Sequence, residues 1–229
     1  MLQSLNSKML VKNTIYFSLF VQILTTLLSL HGFTIKLNKQ DFILKQILGI
    51  ETVVQIIEGC FYIWVIFALK HKNNLTKRRY IDWVITTPIM LLSSIIYMDY
   101  QYHKQTDNKI LSLKQYIIDN KKNICIIIIL NGCMLLFGYL GESNKLNKSI
   151  SITIGFIFFC LSFYFIYNNY AIKTKEGKQL LCLLFIIWAL YGIAAIMPFN
   201  TKNIMYNLLD IISKNFYGLF IYYKILKLK

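Results

Sequence analysis

The stretch RRYIDWVITTPIM, residues 78–90, sets Asp82 inside an otherwise apolar run, three residues after Arg79 and directly before Trp83. A charged side chain at the centre of a bilayer costs about 3 kcal/mol or more, so an acid there marks a functional position by default. Arg79, Asp82, Thr86, Met90 and Ser93 recur every three or four residues, which stacks them along one helix face, with Trp83 and Thr87 at its edge. Pro88 is tolerable mid-membrane because hydroxyls and neighbouring helices satisfy the carbonyl that proline leaves free.

Around this stretch the chain is equally apolar. Its 229 residues are 56% hydrophobic and only 15% charged, with a mean hydropathy of +0.52. That profile belongs to a polytopic membrane protein and not to a soluble domain. A spanning helix needs about 20 mostly apolar residues. Stretches of that kind fall at 13–33, 48–70, 79–99, 123–141, 149–168, 179–198 and 203–224. The runs are too long and continuous for barrel strands, so the expected fold is all-α: one seven-helix bundle over residues 1–229. The first run follows a short polar N-terminus without a small-residue cleavage site and reads as a span, not a removable signal. The Lys and Arg bias places the N-terminus outside and the C-terminus in the cytoplasm.

Residues 102–122, YHKQTDNKILSLKQYIIDNKK, are polar with Ile110, Leu113 and Ile117 at helical spacing. They read as a cytoplasmic loop, either an extension of the fourth helix or a short helix on the membrane surface. The net charge of +15 reflects loops facing lipid headgroups, and no nucleic-acid partner is expected. Cys60, Cys125, Cys133, Cys160 and Cys182 all fall within spans and read as small hydrophobes. His31, His71 and His103 are far apart, so no metal site is expected. Nothing points to an enzyme.

In the last span Asn203, Asn207, Asp210 and Lys214 recur at four, three and four, again on one face. Asp210 and Lys214 stand roughly 6 Å apart along the axis. A lysine at that depth is a Schiff-base nucleophile toward an aldehyde; a mutually neutralised structural pair is the other reading. Asp82 bears on the choice. Together with Asp210, Arg79 and a cation on Lys214 it makes a site without net charge, far less costly than an unpaired buried ion. Asp82 is then in the membrane to hold a cation there.

These residues resemble the microbial (type 1) rhodopsins. The third-helix pattern of that family, R-Y-x-D-W-x-x-T-T-P, stands here as Arg79 to Pro88, and its seventh-helix D-x-x-x-K as Asp210 to Lys214. The resemblance implies all-trans retinal bound to Lys214 as a protonated Schiff base, Asp82 and Asp210 as counterions with Asp82 the proton acceptor, and Arg79 in their network. It implies a retinal pocket of Trp83, Thr86, Thr87, Met90, Met134, Trp188 and Tyr191. Two positions depart from the pattern: Gly192 where many members have proline, and Ala195 where many have tryptophan. Asn131 stands where many carry an aspartate facing the threonine matched by Thr87.

An outward proton pump needs a carboxylic donor three turns after the acceptor, and that position is Ser93, which cannot donate near neutral pH. The second span instead carries Glu51, Gln55, Glu58 and Tyr62 as a polar stripe, and the first offers Asn13, Ser18, Gln22 and Thr25 or Thr26. Facing the last helix, these would line a hydrated path that favours cations; glutamates that are protonated and merely bond neighbouring helices are the other reading. Ser18, Glu51, Glu58 and Ser93 together look like the group-one rhodopsins of large algal viruses, similar to light-gated cation channels. The expectation is therefore a light-gated cation channel in which Lys214 passes its proton to Asp82. Its gates lie near Ser18, Glu58 and Asn207, near Glu51, and at an Asn131–Thr87 pair. A proton pump, or a sensory rhodopsin, is the alternative. Expected partners are membrane lipids, monovalent cations or protons, and further copies of the chain in a homo-oligomer of unknown order. The expected location is multi-pass in a membrane, that of a host cell if the chain is virus-encoded.

Overall fold

Apolar residues on every turn, with so few prolines to interrupt them, dictate helices, and the computed structural model contains no strand among its described residues. It describes residues 2–67 and 75–229, with side chains from residue 8 onward; the expected end of the second span at 68–70, and His71, lie outside them.

The chain runs through α1 (Leu2–Thr34), α2 (Phe42–Phe67), α3 (Leu75–Thr106), α4 (Leu113–Asp119), α5 (Lys121–Glu142), α6 (Lys148–Asn169) and α7 (Lys175–Ile196). The last helix is built from α8 (Phe199–Asp210), a π-helical turn at Ile211–Asn215 and α9 (Phe216–Leu226). Among the described residues, six helices are long and apolar enough to cross a membrane. The seventh is the α8–α9 unit, whose buried Asn203, Asn207 and Asp210 dilute its apolar character. The helices close into a ring: α1 against α2, α2 against α3, then α3, α5, α6, α7 and α8 in turn, with α8 and α9 returning to α1 and α2.

Large apolar side chains such as Phe20, Ile157 and Leu183 are exposed around the outside, 61%, 52% and 56%. On a chain with six apolar spans that surface is the lipid face, and the protein is integral and multi-pass. Cys60, Cys125 and Cys182 also point outward and do not fill the core. The most extensive seam joins α5 to α6, where small residues let backbones approach. A Cβ on Gly141 would meet the Ser151 Cβ at 2.7 Å, and one on Gly155 the Met134 carbonyl oxygen at 3.5 Å.

Residues 102–122 are less of a loop than the sequence suggests. Helix α3 continues through Thr106, and α5 begins at Lys121. Between them α4 is a separate short helix, its axis broken from α5 at Asn120. Tyr116 is its buried residue; of the Ile110, Leu113 and Ile117 stripe, Leu113 packs against the core while Ile110 and Ile117 are exposed. The Tyr116 hydroxyl donates to Asp99 Oδ2 at 2.8 Å, and burial with Asp99 beside it pushes that hydroxyl's pKa up, so it remains a donor. Lys173 also donates to Asp99, at 2.8 Å. A parallel cluster joins Tyr100 and Lys104 to Asp41, at 2.5 and 2.7 Å. At the opposite end Glu142 accepts from Tyr80, Tyr206 and Lys202 at 3.1, 2.7 and 2.6 Å.

A buried lysine among three acids

The face that α3 turns inward is the one read from the sequence. Arg79, Asp82, Thr86, Met90 and Ser93 are all buried. The Thr86 and Thr87 hydroxyls donate to the carbonyls of Asp82 and Trp83 at 2.9 and 2.7 Å. Opposite stands the π turn of the last helix, which carries Lys214. A π turn adds a residue to the local repeat and is a frequent mark of functional sites.

The Lys214 Nζ donates to Asp82 Oδ2 at 2.7 Å and lies 3.7 Å from Asp210 Oδ1. Asp210 is heavily partnered. It accepts from Tyr62 at 2.9 Å, Tyr191 at 2.9 Å and Arg79 at 3.0 Å. The second guanidinium nitrogen of Arg79 donates to Asn207 Oδ1 at 2.8 Å. A third acid joins them: Glu58 Oε1 lies 3.4 Å from the Lys214 Nζ, while its other oxygen accepts from Gln22. The sequence places Glu58 on a polar stripe, but its approach to Lys214 depends on how α2 registers against the last helix, which no motif carries.

Lys214 also opens on a cavity between α3, α5, α6, α7 and α8, walled by Trp83, Thr87, Met90, Met134, Trp188 and Tyr191. Thr86 is not among its walls. Trp83 meets Tyr191 edge-on, with ring centroids 5.4 Å apart. On one side, the Asn131 amide donates to the Thr87 hydroxyl at 2.7 Å.

Beyond Lys214 the inner faces of α1, α2, α3 and the last helix form a polar column. At the Arg79 end, Asn207 donates to Thr14 at 2.9 Å and accepts at its carbonyl from Ser18 at 3.1 Å. Thr14, not Asn13, shares the Ser18 face, because it lies a full turn away; Asn13 is exposed. Ser18 and Asn207 therefore meet each other, whereas Glu58 belongs one turn further in with Gln22. Next come Thr25 with Asn215 at 2.5 Å and Ser29 with Gln55 at 3.2 Å. Ser93 ends the column by donating to Glu51. Asn215, Thr14 and Ser29 lie outside the spacing patterns of the sequence; ordinary helical spacing puts Asn215 well off the Asn207–Asp210 face, and the π turn brings it inward to Thr25.

These features define a class: a seven-helix membrane protein with a buried lysine set among acids at the end of an aromatic cavity. The family follows from comparison. The model of the bacteriorhodopsin-like protein family matches residues 13–228, so the chain belongs to that family, the microbial rhodopsins. Among solved structures it is similar to the viral rhodopsin OLPVRII, at 29% identity over 96% of this chain and 99% of that one, with a TM-score of 0.83. Its fold is also that of bromide-bound halorhodopsin from Halobacterium salinarum, at 14% identity over 97% and 96% of the two chains and a TM-score of 0.76. Thermophilic rhodopsin from Rubrobacter xylanophilus shares it at 18% identity, over 95% and 97% of the two chains, with a TM-score of 0.71. No curated protein sequence gives a significant match. Members of the family bind retinal through a Schiff base to a lysine, and retinal is the cofactor here. The residues fit it: a buried amine opens on an apolar, aromatic-walled cavity long enough to involve five helices.

Proposed function

We propose that this rhodopsin is a light-gated cation channel, with retinal attached at Lys214 and the ion path along the polar column of α1, α2, α3 and the last helix. The observation that carries the reading is the unfinished hydrogen bonding of that column. Gln22 Oε1, Glu51 Oε2, Gln55 Nε2 and Asn215 Nδ2 are buried without a hydrogen-bond partner. Buried polar atoms are nearly always satisfied, by protein or by water, so a run of orphans along one seam is suited to hydration. Carboxylates on that seam, Glu51 and Glu58, favour cations over anions.

Bound retinal supplies a light-driven isomerisation at the attachment point. The chain does the rest. Asp82 Oδ2, hydrogen-bonded to the Lys214 Nζ, is placed to take its proton. Loss of that charge pair releases Glu58 and Asp210 from Lys214, and with Asp210 the Arg79–Asn207 contact beside Ser18. The constrictions at Ser18–Asn207 and at Glu51–Ser93 then have cause to loosen. The Asn131–Thr87 bond ties α5 to α3 next to the site and is placed to time closure. Monovalent cations or protons are the transported species.

Ser93, where an outward pump would carry a donor acid, is bonded to Glu51 and supplies no proton of its own. Voltage-clamp recording decides between channel and pump. Photocurrents that reverse sign at a potential tracking the cation gradient are the expected result; currents of one sign at every voltage would mean a pump, and no current would favour a sensor.

A further inference from the structure

Gly192 and Ala195, the two departures at the far end of the pocket, line the same cavity as Lys214. Facing them on α6 is Phe156, which lines the cavity and is also 44% exposed on the outer face of the bundle. A Cβ built on Gly192 meets nothing nearer than the Phe156 ring, at 4.0 Å. At this level one aromatic ring stands between the cavity and the lipid.

The polar ends of the bundle are different. Glu142 ties α5 to α3 and α8 at one end, and the Asp41 and Asp99 clusters tie loops to α3 at the other. Lys214 is 2% exposed, so its aldehyde partner has to cross the wall of the bundle somewhere. Retinal is apolar and partitions into lipid, and opening a charged, hydrogen-bonded end to admit it would leave buried polar groups unsatisfied. Parting α6 from α7 beside a glycine displaces only apolar contacts, and a half-exposed aromatic side chain changes rotamer quickly.

We propose that the seam between α6 and α7 at Gly192 and Phe156 is a lateral portal through which retinal passes from the bilayer to Lys214, with Phe156 as its door. The portal rests on the attachment of retinal at Lys214. It also accounts for small residues at 192 and 195, where bulk would close the seam.

The test follows the rise of the visible band after all-trans retinal is added to apoprotein in lipid vesicles. Gly192→Leu, which fills the seam, slows that rise by roughly tenfold, the rate effect of about 1.4 kcal/mol. Phe156→Ala, which removes the door, speeds it severalfold, and Leu183→Ala, an outward residue elsewhere on α7, leaves it unchanged. Wild-type rates in both Gly192→Leu and Phe156→Ala overturn the portal while leaving the cofactor in place. Should Gly192→Leu form no band at all, Phe156→Ala still decides: acceleration supports the portal and a wild-type rate overturns it. Absence of a band in the wild-type protein would sink the retinal reading itself, and the portal with it.

Discussion

Glu58 Oε1 lies 3.4 Å from the Lys214 Nζ, so the buried amine is ringed by three acids, with Asp82 at 2.7 Å and Asp210 at 3.7 Å. Among the described residues two cations, Lys214 and Arg79, face them. Asp210 is the best anchored, through Arg79 and two tyrosines. Asp82 keeps an oxygen, Oδ1, free of hydrogen bonds. Glu58 likewise leaves Oε1 unbonded, but of the two lightly bonded acids Asp82 is the one in hydrogen-bond contact with the amine, which suits a proton acceptor better than a structural partner.

The distances set an order for the colour of the pigment. A negative charge beside the attachment nitrogen holds the positive charge there in the ground state and widens the excitation gap. Asp82→Asn is expected to move the absorption band to longer wavelength, and Glu58→Gln to move it less, because the Coulomb term falls with distance. Absorption spectra of the two reconstituted variants check this. A larger shift for Glu58→Gln, or a shift to shorter wavelength for Asp82→Asn, would contradict the assignment.

Glu51 sits far along the column, bonded to Ser93 and remote from the three-acid cluster. Glu51→Gln is expected to lower the cation photocurrent at least roughly twofold, as loss of a pore carboxylate does, with little change in the absorption band. Recording current and spectrum on the same variant separates this from a pocket defect. An unchanged current would remove Glu51 from the ion path.

The α5–α6 seam makes a paired stability prediction. Gly141→Val drives a side chain into Ser151 and is expected to cost about 1–3 kcal/mol, the usual range for overpacking. Gly132, in the same helix, has nothing within 4 Å of a built Cβ, and Gly132→Ala is expected to stabilise by about 0.5–1 kcal/mol through helix propensity. Thermal denaturation in detergent measures both. Equal effects would mean the seam is not close-packed.

Helix α4 has seven residues, too few to hold its shape alone. Tyr116 is its buried anchor, so Tyr116→Phe, which deletes the bond to Asp99, is expected to cost about 1 kcal/mol locally. Amide hydrogen exchange should rise across 113–119 and stay level in α3. Unchanged exchange would show that α4 is held by its apolar contacts instead.

Much of this architecture is legible in the sequence, and what is not has a common cause. The α3 face from Arg79 to Ser93 and the Asp210–Lys214 spacing are local periodicities, fixed by the geometry of one helix, and the structure keeps them. Relations between helices are another matter. Glu58 reaching Lys214, and Ser18 meeting Asn207 without it, follow from the axial register of α1 and α2 against the last helix. The π turn at 211–215 leaves no compositional mark, yet it decides that Asn215 faces Thr25. Asn13 fell short for a simpler reason: five residues is more than one turn, and Thr14 takes the inward place. Tyr116 carries no periodic signal, since an aromatic anchor beside an aliphatic stripe breaks no pattern.

The attachment of retinal is the claim everything else depends on, and it can be read chemically. Borohydride reduction after addition of all-trans retinal fixes the imine as a stable amine, which mass spectrometry of proteolytic peptides then locates. A retinyl adduct on the peptide carrying Lys214, lost in Lys214→Ala, is the expected result. An adduct on another lysine, or none on any peptide, would contradict it.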